Sequence, residues 1–246
     1  MKKTYGLLGK NISYSFSKKF FTDKFHLENL NNEYKNFDIQ SINELPEILD
    51  QNINTLHGFN VTIPYKEQIF KYLDEVNSIA NEIKAVNCVK IIDRYYLKGY
   101  NTDVYGFEKS LQPLFKKTPK KALILGTGGA SKAVAFVLKK LNITVLFVSR
   151  NPKKNQISYT NLSEEIITTH SLIINTTPLG TKGKLELIAP DIPYQSLNKE
   201  HILYDLIYNP SETVFLKKGK EKGTTIKNGL EMLQLQAEKS WEIWNE

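Results

Sequence analysis

Six consecutive residues with short side chains or none lie between a predicted buried strand and a predicted helix: Gly126, Thr127, Gly128, Gly129, Ala130 and Ser131. In such a loop the first glycine permits a tight turn and the second lets a ligand approach the backbone. A small residue at the third position allows the helix to pack closely on the strand. The helix also presents free N–H groups and the positive end of its dipole, which favour phosphate. The segment therefore predicts a dinucleotide site.

The end of the next strand predicts which dinucleotide binds. A site for NAD places a carboxylate there, against the ribose 2′-hydroxyl. This chain has Ser149 and Arg150 at that point, followed by Lys154, and Arg150 is one of only two arginines. A planar guanidinium matches a 2′-phosphate, so the sequence favours NADP. A solvated basic turn is the alternative.

Polar residues ahead of predicted helices have two possible roles. Ser15 and Ser17 precede one helix, and hydroxyls beside free helical N–H groups bind carboxylates. Ser17 could equally be the N-cap of that helix. Further along the chain, Asn87 and Asp103 place an amide and a carboxylate at the ends of two more predicted elements. Asp103 could instead cap a helix that begins at Val104.

A candidate lysine follows an extended segment with alternating polar and apolar residues. Asn60 and Thr62 share one face of this segment, Pro64 ends it, and Lys66 comes next. In a chain so rich in lysine, a solvated charge is the simpler explanation of Lys66 taken alone.

Alternating strands and helices must position these residues. Continuous apolar strands separated by crossovers favour a parallel sheet covered on both faces in the second half. The predicted helices are Ser17–Leu30, Ile42–Leu49, Lys132–Leu141 and Gly229–Trp244. The predicted strands are Thr4–Gly9, Tyr34–Ile39, Gly58–Thr62, a pair within Ala85–Tyr100, Ala122–Leu125, Ile143–Ser149, Leu172–Asn175 and Ile202–Leu206.

Composition excludes several classes of protein. The 246 residues are 41% hydrophobic and 24% charged, which is typical of a globular chain with one large or two small domains. A single cysteine, Cys88, and four scattered histidines predict neither an internal disulfide nor a metal site. No apolar run is long enough to span a membrane. The net charge of +7 comes mainly from dispersed lysines, a pattern that does not favour nucleic-acid binding. We expect a cytoplasmic protein.

Taken in order along nearly the whole chain, these segments resemble the shikimate dehydrogenase family. The resemblance implies an α/β protein of two domains, with an N-terminal α/β substrate domain and a Rossmann-like, doubly wound parallel-sheet NADP domain. The substrate domain would comprise residues 1–102 and 228–246, including a C-terminal helix that returns to it, and the NADP domain residues 103–227. The implied activity is the reversible, NADPH-dependent reduction of 3-dehydroshikimate to shikimate by a monomer or homodimer.

The resemblance also implies roles for individual residues. Lys66 would exchange the proton of the reacting hydroxyl, and Asp103 would orient that hydroxyl. The implied substrate contacts are Ser15, Ser17, Asn60, Thr62, Asn87, Tyr208 and Gln236. The implied coenzyme contacts are the glycine loop, Ser149, Arg150, Lys154, Thr176, Gly229 and Met232.

Three alternatives remain open. A relative of the same shape could accept quinate as well, and a methylenetetrahydrofolate dehydrogenase also has an α/β layout with a catalytic lysine. A non-catalytic, NADP-binding regulatory module would keep the glycine loop but lose Lys66 or Asp103; this chain retains both residues.

Overall fold

The computed structural model describes residues 2–13 and 15–246 and contains two compact units. One unit consists of Met1–Tyr105 with Gln236–Glu246, and the other of Gly106–Leu235. The breaks after residues 105 and 235 each fall inside a helix. The expected substrate domain (residues 1–102 and 228–246) and NADP domain (residues 103–227) stay a prediction.

The first unit is built on a six-stranded mixed sheet. Its elements are β1 (Lys3–Gly9), α1 (Phe16–Leu27), β2 (Asn32–Asp38), α2 (Leu45–Gln51), β3 (Leu56–Val61), β4 (Glu75–Val76), α3 (Ser78–Ile83), β5 (Cys88–Ile92) and β6 (Tyr96–Tyr100). The strand order is β2-β1-β3-β5-β6-β4. Strand β1 is parallel to β2 and β3, whereas β5 is antiparallel to both β3 and β6.

Aromatic packing attaches the C-terminal helix α8 (Leu230–Asn245) to this first sheet. Trp244 stacks on Tyr5 at 4.9 Å between ring centroids and donates its indole N–H to the carbonyl of Val89 at 2.9 Å. A Cβ atom on Gly58 would overlap the Trp244 ring, so this position in β3 requires glycine. The end of α8 is therefore fixed within the first unit.

The second unit is built on a parallel sheet of six strands. Its elements, besides the beginning of α8, are α4 (Asp103–Leu111, from residue 106 on), β7 (Lys121–Leu125), α5 (Gly129–Lys140), β8 (Thr144–Val148), β9 (Gln156–Ile157), α6 (Glu164–Thr169), β10 (Leu172–Asn175), β11 (Ile202–Asp205), α7 (Val214–Glu221) and β12 (Thr225–Lys227). The strand order is β12-β11-β10-β7-β8-β9. The helical crossovers and the parallel strands make this unit Rossmann-like, as expected.

Several predicted helices and strands have different bounds in the structure, and two of these differences have a clear local cause. The predicted helix over Ile42–Leu49 begins as a 3-10 turn, which Ser41 and Glu44 stabilise through a capping box, and becomes α-helical only at Leu45. The helix after the glycine loop begins at Gly129 rather than Lys132, because Gly128 is already its N-cap. Gly129, Ala130 and Ser131 therefore form its first turn.

Among the residues that the structure describes, no helix combines the length and apolar composition that are needed to cross a membrane.

Candidate active site

Lys66 and Asp103 form a close ion pair in the first unit. The Nζ atom of Lys66 lies 2.6 Å from Oδ2 of Asp103, and the side chains are 17% and 11% exposed. The Lys66 carbonyl accepts a hydrogen bond from the Val86 backbone at 2.8 Å, which fixes the position of the lysine in the chain. The pair is therefore largely enclosed but still accessible to a small molecule.

Asn87 holds the other oxygen of Asp103. Its side-chain amide donates to Oδ1 of Asp103 at 2.8 Å, and its amide oxygen accepts from the Thr102 backbone at 2.7 Å. Asp103 is the first residue of α4 rather than the cap of a helix that begins at Val104. The side chain of Asn101 accepts from the Val104 N–H instead, so both Asp103 oxygens face Lys66 and Asn87.

The C-terminal helix contributes two polar residues to the same cluster. Gln236 accepts hydrogen bonds from Thr102 at 3.3 Å and from Asn87 at 3.4 Å. Ser240, one turn further along α8, lies 3.2 Å from the Thr102 hydroxyl and accepts from Asn60 at 2.8 Å. Sequence reasoning missed Ser240; its spacing of four residues from Gln236 places both on one helix face.

Asn60 is a buried connection in this cluster, with only 4% of the residue exposed. Its side-chain amide donates to Ser240 and to the Asn87 carbonyl, and its oxygen accepts from the Tyr34 hydroxyl at 2.9 Å. Burial raises the pKa of Tyr34, so this hydroxyl stays a proton donor. The contacts of Asn60 therefore orient Tyr34, Asn87 and Ser240. A direct contact between Asn60 and the substrate stays a prediction. Sequence reasoning missed Tyr34.

The two candidate serines differ in their structural roles. Ser15 is the N-cap of α1, and its hydroxyl accepts from the Lys18 backbone at 3.2 Å. Ser17 is therefore not the N-cap; it lies buried in the first turn, beside the Tyr34 hydroxyl. Thr62 is half-buried after β3, and a Cβ atom on Gly9 would contact its methyl group at 2.6 Å. The serines lie at the beginning of α1 and Thr62 directly follows β3, all in the same unit as the lysine pair.

We expect Ser15→Ala to raise KM for the substrate about three- to tenfold and to change kcat little, because one hydroxyl contact to a carboxylate is lost. Steady-state kinetics measures both constants. Ser41→Ala is the matched control, since Ser41 also caps a helix but belongs to no candidate contact. An equal change of KM in both variants, or none in Ser15→Ala, would contradict the assignment.

A cavity of about 580 Å³ opens at the carboxyl ends of the strands of the second unit. Of the thirteen residues around it, six are predicted coenzyme contacts: Gly126, Thr127, Gly128, Ser149, Arg150 and Thr176. Its other residues are Asn151, Lys153, Tyr159, Thr177, Pro178, Leu179 and Leu185. Parallel α/β sheets bind ligands at this edge, where the crossovers reverse direction around the central strand.

The glycine loop has the shape of a phosphate cradle. Gly126 has a φ of 102°, and a Cβ atom there would lie 2.9 Å from the Thr176 hydroxyl. A Cβ atom on Gly128 would meet nothing within 4 Å, so the backbone is open on that side. Ser131 is buried and donates its hydroxyl proton to the Gly128 carbonyl at 2.7 Å, which closes the first turn of α5. The free N–H groups of this turn suit an anionic ligand.

Arg150 is exposed on a turn beside the cavity. The Ser149 hydroxyl accepts from the Asn151 backbone at 3.3 Å, which shapes that turn. Nearby, the Tyr159 hydroxyl is buried and has no hydrogen-bond partner among the described residues. A cation at the rim and an unpaired polar atom in the wall fit a phosphorylated ligand. Lys153 borders the cavity whereas the predicted Lys154 does not.

The remaining predicted coenzyme and substrate residues of the second unit lie away from the cavity wall. Gly129, Ala130 and Ser131 form the helix turn behind it, and Met232 is buried on α8. A Cβ atom on Gly229 would overlap the Leu206 carbonyl, so close backbone approach explains this glycine. Tyr208 is 36% exposed on the loop after β11.

Within residues 2–13 and 15–246, no three His, Cys, Asp or Glu side chains gather in a way that could hold a metal ion.

Comparison with known proteins relates both units to one family. A family model described as the shikimate dehydrogenase substrate binding domain matches residues 7–89. The shikimate dehydrogenase (NADP(+)) of Methanococcus maripaludis is 38% identical, with 98% of this chain and 91% of that protein covered. The chain belongs to the shikimate dehydrogenase family.

Solved structures of family members extend over both units. The crystal structure of shikimate dehydrogenase from Aquifex aeolicus is 36% identical and superposes with a TM-score of 0.88, covering 99% of this chain and 92% of that one. The enzyme from Thermus thermophilus, in complex with NADP(H) and shikimate, is 29% identical with a TM-score of 0.86 and coverage of 98% and 93%.

Proposed function

We propose that this chain catalyses the reversible, NADPH-dependent reduction of 3-dehydroshikimate to shikimate. The observation that carries the proposal is the ion pair between Lys66 and Asp103, which Asn87 and Gln236 extend into one polar cluster. The relatives at 36–38% identity over nearly the whole chain are named shikimate dehydrogenase (NADP(+)), which supports the same activity here.

The polar cluster of the first unit provides groups for a small polyhydroxylated acid. The hydroxyls of Ser15 and Ser17 and the N-terminal end of α1 are suited to the substrate carboxylate. Asn87 and Gln236 offer amide groups to ring hydroxyls, and the hydrogen bond that Asn87 donates to Gln236 presets the direction of these amides.

Lys66 and Asp103 are suited to handle the proton of the reacting hydroxyl. When NADPH is bound, it supplies the hydride that reduces the substrate carbonyl. The Lys66 ammonium then gives a proton to the oxygen on which negative charge develops, and the neutral amine takes it back in the oxidation of shikimate. Asp103 accepts a hydrogen bond from the same hydroxyl and holds it beside Nζ of Lys66.

The second unit provides the coenzyme site, with NADP as its ligand. The open backbone at Gly128 and the first turn of α5 are suited to the pyrophosphate. Arg150 and Lys153, both at the cavity, are suited to the 2′-phosphate. The carboxylate that an NAD site would need is absent from this turn, residues 149–154.

The absorbance of reduced nicotinamide tests the activity directly. Purified protein is assayed with shikimate or quinate, each with NADP or NAD, in all four pairings. We expect the highest kcat/KM with shikimate and NADP. Comparable rates with quinate would indicate the broader quinate/shikimate specificity. No reduction in any pairing would refute the proposed function and favour a coenzyme-binding regulatory module.

We further propose that the protein acts in the cytoplasm as a monomer or homodimer and that nucleic acid is not among its partners. The lysines are dispersed along the chain and only two residues are arginines, which supports the expectation that the protein does not bind nucleic acid. Light scattering after size-exclusion chromatography measures the oligomeric state.

A further inference from the structure

A buried carboxylate lies beneath the loops of the coenzyme cavity. Asp205 ends β11 and is fully buried, and its two oxygens accept three hydrogen bonds. Asn175 donates to Oδ1 at 3.0 Å, the Ile207 backbone donates to Oδ1 at 3.0 Å, and the Thr213 hydroxyl donates to Oδ2 at 2.6 Å. The donors come from the end of β10, the loop after β11 and the N-cap of α7.

The hydrogen bond to Asn175 connects Asp205 with the wall of the cavity. Because the Asn175 amide group points toward Asp205, its oxygen is left to accept from the backbone and the hydroxyl of Thr177, at 3.0 and 2.6 Å. Asn175 also donates to the Leu179 carbonyl at 3.2 Å. The segment from Thr176 to Leu179 borders the cavity throughout, so this carboxylate sets the conformation of one wall.

The hydrogen bond from Thr213 fixes the other end of the same loop. Thr213 is buried, and its methyl-bearing side chain lies so close to Gly180 that a Cβ atom on this glycine would be 3.1 Å away. Gly180 has a φ of 104° and follows directly on the cavity segment. Asp205 thus joins both ends of the segment through neutral donors.

The charge of Asp205 has no cationic partner in the described part of the chain. Its three hydrogen-bond partners are neutral donors. Burial and the charge of Asp205 both raise the pKa of the Tyr194 hydroxyl, which itself donates to the Pro190 carbonyl at 2.8 Å. Burial raises the pKa of Asp205 to about 6, while its three hydrogen bonds act in the opposite direction. Burying an unpaired carboxylate opposes folding, so a purely structural role would be served better by a neutral side chain.

We propose that Asp205 is a positioning residue for the coenzyme, whose carboxylate fixes the cavity segment Thr176–Leu179 in the shape that binds NADP. This inference rests on the proposed coenzyme site. Protonation of Asp205 removes its negative charge, so the hydrogen bonds that it accepts from Asn175, Ile207 and Thr213 lose their charge-assisted strength. The segment loosens, and coenzyme affinity falls as the pH drops through the pKa of this group.

The dissociation constant of NADP, measured by titration calorimetry between about pH 5 and pH 8, tests the proposal with Asp205→Asn. We expect binding to be about fivefold weaker or more in the variant near pH 8, and the two constants to converge near pH 5. The ratio of the constants is the readout, because the 2′-phosphate titrates near pH 6 in both proteins and cancels. At saturating NADP, KM for shikimate should stay close to the wild-type value.

Asp74→Asn is the matched control, since Asp74 also accepts a backbone N–H, from Leu97 at 2.7 Å, but belongs to the first unit. The ratio of its dissociation constant for NADP to that of the wild type should be close to one at every pH. If Asp205→Asn does not fold, Thr213→Val and Thr213→Ser replace it, and only the valine variant, which has no hydroxyl, should show the pH-dependent loss.

Two results would overturn the inference. One is that Asp205→Asn and the wild type bind NADP equally well at all pH values. The other is that Asp205→Asn binds NADP more weakly by a factor that does not vary with pH. Failure of the wild-type protein to bind NADP would instead refute the proposed coenzyme site, so the two failures are distinguishable.

Discussion

Replacement of Lys66 by alanine should lower kcat for shikimate oxidation by about 10² to 10⁴-fold. The lysine contacts Asp103 at 2.6 Å, and the Asn87 amide, which also contacts Asp103, does not ionise and so cannot replace the lysine as a proton donor. The loss should appear in kcat more than in KM, because the proton moves in the transition state rather than on binding. Steady-state oxidation of shikimate by NADP measures both constants.

Lys71→Ala is the control for Lys66→Ala. Lys71 lies five residues further along the same segment, is exposed, and donates to Asn43 at 2.7 Å, outside the polar cluster. It should keep wild-type turnover. Near-normal turnover in Lys66→Ala would remove the lysine from the mechanism, provided that the melting temperatures of both variants match that of the wild type.

Replacement of Arg150 by alanine should weaken NADP binding by about 1.5 to 3 kcal/mol, which is roughly tenfold or more in affinity. The reason is the lost hydrogen bonding between the guanidinium and the 2′-phosphate. NAD lacks this phosphate, so its affinity should change little and the preference for NADP should shrink. The values of kcat/KM for both coenzymes, measured side by side, give this preference.

Arg94→Lys is the control for the arginine variant, since Arg94 is the other arginine and lies on the exposed turn between β5 and β6 of the first unit. It should leave the ratio of NADP to NAD unchanged. If the preference for NADP over NAD were also unchanged in Arg150→Ala, Arg150 would be a solvated surface residue, and Lys153 would be the remaining candidate contact of the 2′-phosphate.

The parts of the site that local sequence patterns encode could be predicted. A glycine loop between a strand and a helix has a distinct conformational requirement, which Gly126 meets with its φ of 102°. An arginine at the end of the next strand in a lysine-rich chain is similarly distinct. The short strands β9 and β12, with two and three residues, escaped prediction because so few residues show no periodicity.

The parts that depend on tertiary contacts could not be predicted. Tyr34 and Ser240 reach Asn60 over 26 and 180 residues of chain, and no local pattern marks such partners. Strand alternation predicts that Asn60 and Thr62 lie on the same face of the extended segment. It does not predict that Asn60 is buried among three hydrogen-bond partners. Ser15 and Ser17 have similar sequence surroundings, and only the position at which α1 begins decides that Ser15 is the cap.

The transfer of deuterium from coenzyme to product tests the central claim most directly. The protein is incubated with 3-dehydroshikimate and NADPH that carries two deuterium atoms at C4 of the nicotinamide ring, and the product is analysed by mass spectrometry and NMR. The account predicts shikimate with one deuterium on the carbon of its new hydroxyl group, formed much more slowly by Lys66→Ala. Unlabelled shikimate, or no shikimate from the wild-type protein, would contradict it.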